Sequence, residues 1–125
     1  MRKTIRIKLS PEAEEVYHYL NKKTAEVYKS GKKRSIEVKI FEAFNKKIEL
    51  IKENPHYGQP ISKDKIPNKY KEKFGIKNLF WVELPFYWRF FYSLTDGETE
   101  AEVIAFVLDI FDHDDYNKEF GYKKK

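Results

Sequence analysis

The apolar residues of this chain change period part-way along, and few folds accommodate that change. A short alternating stretch, Ile5-Arg6-Ile7-Lys8-Leu9, comes first and has the pattern of a half-buried strand. Ser10-Pro11-Glu12 then reads as a helix start, with a hydroxyl to cap, a proline in the first turn and an acid near the positive dipole end. Ala13, Val16, Tyr17, Leu20, Thr24 and Val27 follow on one helical stripe. Gly31 and Lys32-Lys33-Arg34 break it, and Ser35 caps a second helix with the stripe Ile36, Ile40, Ala43, Phe44, Ile48 and Ile51. That helix is expected to stop before Asn54-Pro55, because proline disfavours helical backbone in its predecessor.

A long polar connection covers residues 54–78, with one helical turn expected over Pro67–Lys73. Beyond it the pattern becomes strand-like: Leu79–Leu84, Tyr87–Leu94 and Ala101–Ile110 are rich in aromatic and β-branched residues. Thr95-Asp96-Gly97-Glu98 reads as the hairpin turn, with Gly97 free to adopt a positive φ. The pleat puts Trp88, Phe90, Tyr92 and Leu94 on one face with Ile104, Phe106, Leu108 and Ile110, as the core beneath the helices. Tyr87, Arg89, Phe91 and Ser93 then face away, beside Val103, Ala105, Val107 and Asp109. The expected architecture is α+β, a strand and a two-helix hairpin packed on an antiparallel sheet, in one domain spanning residues 1–125.

Composition narrows the functional classes. Aromatic residues make up 17% of the 125-residue chain, which opposes intrinsic disorder despite 36% charged residues. The chain has no cysteine, so disulfides, thiolate metal sites and cysteine nucleophiles are excluded. Three histidines at positions 18, 56 and 113 have no zinc spacing, and no phosphate-binding glycine loop is present, so neither a metal nor a cofactor is expected. No apolar leader follows Met1-Arg2-Lys3, and Val103–Leu108 is too short to span a bilayer; a cytoplasmic protein without membrane contact is the expectation. Charge is segregated: residues 1–80 hold 20 Lys and Arg against 10 Asp and Glu, and residues 81–125 hold 5 against 10. Such an asymmetry suits an anionic partner such as nucleic acid, or equally a solvated Lys/Glu surface.

The order of elements resembles the RelE/ParE superfamily of bacterial and archaeal toxins over roughly residues 4–122. The helix exit Asn54-Pro55-His56-Tyr57-Gly58-Gln59-Pro60-Ile61 is similar to the family's "NP..G.P" element. Tyr87-Trp88-Arg89-Phe90-Phe91-Tyr92 resembles its aromatic-Arg-apolar-apolar-Tyr strand, and Asp112-His113-Asp114-Asp115-Tyr116 its C-terminal segment. The resemblance implies the toxin of a toxin–antitoxin pair, with a cognate antitoxin as protein partner. Many relatives are endoribonucleases (mRNA interferases) that cleave mRNA on the ribosome by metal-free 2′-hydroxyl attack. The ParE branch instead inhibits DNA gyrase without being enzymes. A catalytically inactive relative that only binds its antitoxin is the third alternative.

Cleavage of that kind needs a base for the 2′-hydroxyl, a cation for the phosphorane and an acid for the leaving 5′-oxygen. Arg89 suits the cation, since guanidinium meets phosphate bidentately, and the family's catalytic arginine corresponds to this position. An arginine there can equally pair with Asp109 or Glu83 across the sheet. His113 follows the last strand, where relatives place a catalytic His or Arg, and Tyr116 resembles a tyrosine that some relatives stack on the substrate base. Plain alternatives are a surface turn for His113 and a packing ring for Tyr116. Glu83 can act as base if it shares the face of Arg89; otherwise it is an edge-strand acid that discourages aggregation. Arg6, Lys8, Lys32, Lys33, Arg34, Lys63, Lys65 and Lys77 are the candidate RNA-phosphate contacts.

Overall fold

Ser10 starts the first helix as its position suggests, and its hydroxyl does more than cap. In the computed structural model, which describes residues 4–31, 35–97, 99 and 101–112, the Ser10 side chain accepts from the Ala13 amide at 3.0 Å and donates to the Leu108 carbonyl at 2.6 Å. Strand β1 (Thr4–Leu9) therefore passes into helix α1 (Pro11–Ser30) while tied to the sheet. Gly31, in left-handed backbone at φ 70°, ends α1. Ser35 caps α2 (Ile36–Glu53), which stops at Asn54 as the following proline requires.

The remaining elements are β2 (Gln59–Pro60), α3 (Asn68–Phe74), β3 (Phe80–Glu83), β4 (Arg89–Asp96) and β5 (Glu102–Phe111). They form one five-stranded sheet in the order β1-β5-β4-β3-β2. All pairings are antiparallel except β1 with β5, which is parallel. The α+β class expected from the change of period is what the chain adopts. Among the described residues no helix is long and apolar enough to cross a membrane.

Helices α1 and α2 cover one face of the sheet. Leu20, Ile40, Phe44, Ile48 and Ile51 pack there against Phe80, Val82, Phe90, Tyr92, Ala105, Val107 and Ile110. The sorting of β4 by the pleat is correct, with Phe90 and Tyr92 buried and Trp88 and Leu94 packed against them. The sorting of β5 needs correction. Ala105 and Val107 face α1 and α2, whereas Phe106 and Leu108 lie on the other side. The register slips between Phe91/Asp109 and Tyr92/Val107, so Leu108 is the extra residue of a β-bulge. The bulge restores Ile110 to the helix face, and the Ser10 hydroxyl supplies a donor for the Leu108 carbonyl.

The second face is not the open surface that the pleat suggested. The segment from Ile61 to Ile76, including α3, covers it with a second apolar layer of Ile66, Tyr70, Leu79, Phe91, Leu108 and Phe111. Two turn assignments also change. Strand β4 continues to Asp96, and Gly97 lacks the expected positive φ; a Cβ on Gly97 would instead lie 2.3 Å from the Glu102 Cβ. Tyr87 is not a strand residue. It shares left-handed backbone with Phe86 (φ 65° and 61°) in the turn from β3 to β4.

Candidate active site around Arg89

Arg89 opens β4, so it sits at one end of the sheet rather than in its middle. Two neighbours are fixed by register: Glu83 on β3 and Phe111 on β5. Glu83 thus shares the face of Arg89, with their Cα atoms about 4.5–5.5 Å apart. The guanidinium carbon lies 4.6 Å from the ring centroid of Trp81, two residues before Glu83. A flat cation over an indole is held in place by the ring face. Phe111 packs against Phe91 (5.0 Å between centroids), and Phe91 meets Tyr70 of α3 edge-on (5.8 Å). Tyr70 donates to the Asp109 carboxylate at 3.0 Å. The second apolar layer thereby fixes the floor under Arg89, which remains half-buried.

Beside this end of the sheet, β2 pairs only with Phe80 and Trp81, so among the described residues no strand continues the ladder beside β3 from Val82 onward. A cleft of about 290 Å³ lies along that edge, lined by Lys47, Tyr57, Gly58, Gln59, Trp81, Val82 and Glu83. Lys47 donates to the Tyr57 hydroxyl at 2.9 Å and lies 5.4 Å from its ring centroid. Lys39, eight residues earlier on the same stripe of α2, lies 5.8 Å from the ring of Phe86. Arg89, Lys47 and Lys39 are thus each seated on an aromatic ring.

The helix-exit element is held to this region by one phenol. The Tyr92 hydroxyl donates to the Pro55 carbonyl at 2.7 Å and accepts from the Gly58 amide at 2.9 Å. A Cβ on Gly58 would lie 2.9 Å from the Tyr92 ring and 3.0 Å from the Trp81 carbonyl, so the chain approaches too closely for any side chain. Burial pushes the Tyr92 phenol above its ordinary 10.0, partly offset by the Gly58 amide. His56 packs edge-on against Phe80 at 5.7 Å.

The structure brings Arg89 and Glu83 together and places Arg6, Lys8 and Lys77 elsewhere. Arg6 and Lys8 lie on edge strand β1; Arg6 faces Glu102 at 3.6 Å, and Lys8 lies 5.9 Å from the Phe106 ring. Through the pairs Arg6–Ile104 and Ile104–Thr95, Arg6 is six residues along β4 from Arg89, roughly 20 Å. Lys77 lines a separate cleft with Ser93, Thr95 and Asp96 towards the opposite end of the sheet. Lys63 and Lys65 are exposed on a turn before α3. His113, Tyr116, Lys32, Lys33 and Arg34 lie outside the described residues.

Sequence reasoning missed Trp81, Lys47 and Lys39 as neighbours of the site. The available signal was the eight-residue spacing of the two lysines, which puts them on one stripe of α2. Among the described residues no group of three His, Asp or Glu side chains gathers as metal ligands do. No family model, curated protein or solved structure matches the chain.

Proposed function

We propose that this protein is a RelE-like toxin of a toxin–antitoxin pair that cleaves mRNA on the ribosome. The observation that carries the reading is the Arg89 guanidinium, braced 4.6 Å from the Trp81 ring with Glu83 directly across the ladder. In this scheme the substrate 2′-oxygen attacks the adjacent phosphorus and gives its proton to the Glu83 carboxylate. Arg89 donates to the phosphorane oxygens as negative charge develops on them. The bond to the 5′-oxygen breaks, and that oxygen takes a proton from His113. Products are a 2′,3′-cyclic phosphate and a 5′-hydroxyl, so no external water or co-reactant is consumed. Tyr116 stacks on the substrate base, and a cognate antitoxin is the protein partner that restrains the toxin in the cytoplasm.

The test is Arg89→Ala in a primer-extension map of transcripts after induction. Loss of one transition-state donor lowers cleavage by about a hundredfold to a thousandfold, with growth arrest relieved and the circular dichroism spectrum unchanged. Undiminished cleavage by a folded Arg89→Ala protein refutes the mechanism. One observation favours a second reading, a relative that binds its antitoxin without cleaving. Glu83 lies opposite Arg89, and Asp112 follows Phe111, the other cross-strand neighbour, so two acidic residues flank the guanidinium in sequence and register. Tight antitoxin binding with no cleavage and no loss of gyrase supercoiling supports that reading.

A further inference from the structure

The turn Leu84–Trp88 has an unusual backbone for its residues. Phe86 and Tyr87 occupy the left-handed region in succession, the conformation of a type I′ hairpin turn, which Asn-Gly fills with least strain. Two aromatic residues there are both strained and exposed: Phe86 is 46% and Tyr87 73% accessible. Strain retained at an exposed tip points to a use for the side chains rather than for the turn.

The surroundings define what those rings suit. Lys39 lies 5.8 Å from the Phe86 ring, and Arg89, two residues beyond Tyr87, lies 4.6 Å from the indole of Trp81. Two residues of extended chain span at most about 7 Å, so the Tyr87 and Arg89 backbones are adjacent. Flat π-faces interleaved with cations match a strand of alternating bases and phosphates. We propose that the Phe86–Tyr87 turn is a base-stacking platform for single-stranded RNA, holding the bases next to the phosphate that Arg89 meets. The proposal rests on the reading of this protein as an RNA-cleaving toxin and adds to it a subsite that fixes where the strand lies.

The experiment measures binding of the full-length protein to a fluorescein-labelled 2′-O-methyl RNA decamer, which cannot undergo 2′-hydroxyl attack, by fluorescence anisotropy. The double variant Phe86→Asn/Tyr87→Gly installs the favoured turn. It is expected to bind at least tenfold more weakly and to melt at a higher temperature than wild type. The ring-preserving Phe86→Tyr/Tyr87→Phe protein is expected to bind within threefold of wild type. Wild type that does not bind the decamer, an Asn-Gly variant of unchanged affinity, or one that melts lower would each overturn the platform. So would an Asn-Gly variant that binds RNA normally yet loses antitoxin, since the turn would then serve a protein partner. Binding through the turn with no cleavage of an unmodified decamer or of transcripts leaves the platform standing while the nuclease reading fails.

Discussion

A buried hydroxyl has to use both its donor and its acceptor, and Ser10, with no solvent exposure, does so across 98 residues of sequence. Ser10→Ala leaves the Ala13 amide and the bulged Leu108 carbonyl without this partner, a loss of about 2–3 kcal/mol. Urea unfolding should show that as a lower midpoint with unchanged slope. Arg89 makes the opposite kind of test, since its proposed contribution is to catalysis and not to folding. Arg89→Lys keeps the charge but loses the planar fork and the stacked seat over Trp81. Cleavage by that variant is expected to fall about tenfold to a hundredfold in a single-turnover assay, with the unfolding free energy from urea titration within about 0.5 kcal/mol of wild type.

Among the elements, the helix exit has a stability that depends on alkaline pH. Tyr92 is favoured as a neutral phenol in the fold, because burial raises it above 10.0. Its contribution is therefore complete below about pH 10 and is lost as pH climbs through the raised value. Tyr92→Phe should lose about 1–3 kcal/mol at neutral pH, through the Gly58 amide and the Pro55 carbonyl. It should also show a shallower alkaline decline in urea midpoint than wild type. The boundaries of α1 and α2 were legible because Ser10-Pro11, Ser35 and Asn54-Pro55 act locally. The faces of β5 were not: Val103 to Leu108 is apolar on both sides, so parity carries no signal there, and the bulge at Leu108 reverses it before Asp109. The cover on the second face was hidden for another reason. Ile61, Ile66, Tyr70, Phe74 and Ile76 are scattered among lysines, in a segment whose only helix has 7 residues. For the candidate site, the aromatic strand carrying Arg89 stood out in the sequence, whereas Trp81 and Lys39 became neighbours only through strand pairing and helix packing. The backbone of Phe86 and Tyr87 had no local cue at all, since neither residue type prefers positive φ.

Among the described residues the positive charge is spread out rather than focused. Arg89, Lys47 and Lys39 lie by the aromatic end of the sheet, while Arg6, Lys8 and Lys77 lie elsewhere. Affinity for a single-stranded oligonucleotide is therefore expected to fall with salt at a log–log slope of about −2. A slope near −5 would mean that Lys63, Lys65 and the β1 cations Arg6 and Lys8 also grip the strand, by about 0.7 per phosphate neutralised. The sheet imposes a further condition, through timing. Its first strand lies beside its last, with Ile5 against Val103 and Leu9 against Val107. At about 5–20 residues per second, a ribosome needs on the order of 5–20 s after making the first strand to deliver its neighbour. A polypeptide that terminates early, anywhere before residue 102, has no neighbour for its first strand, so the sheet closes only once β5 has been made.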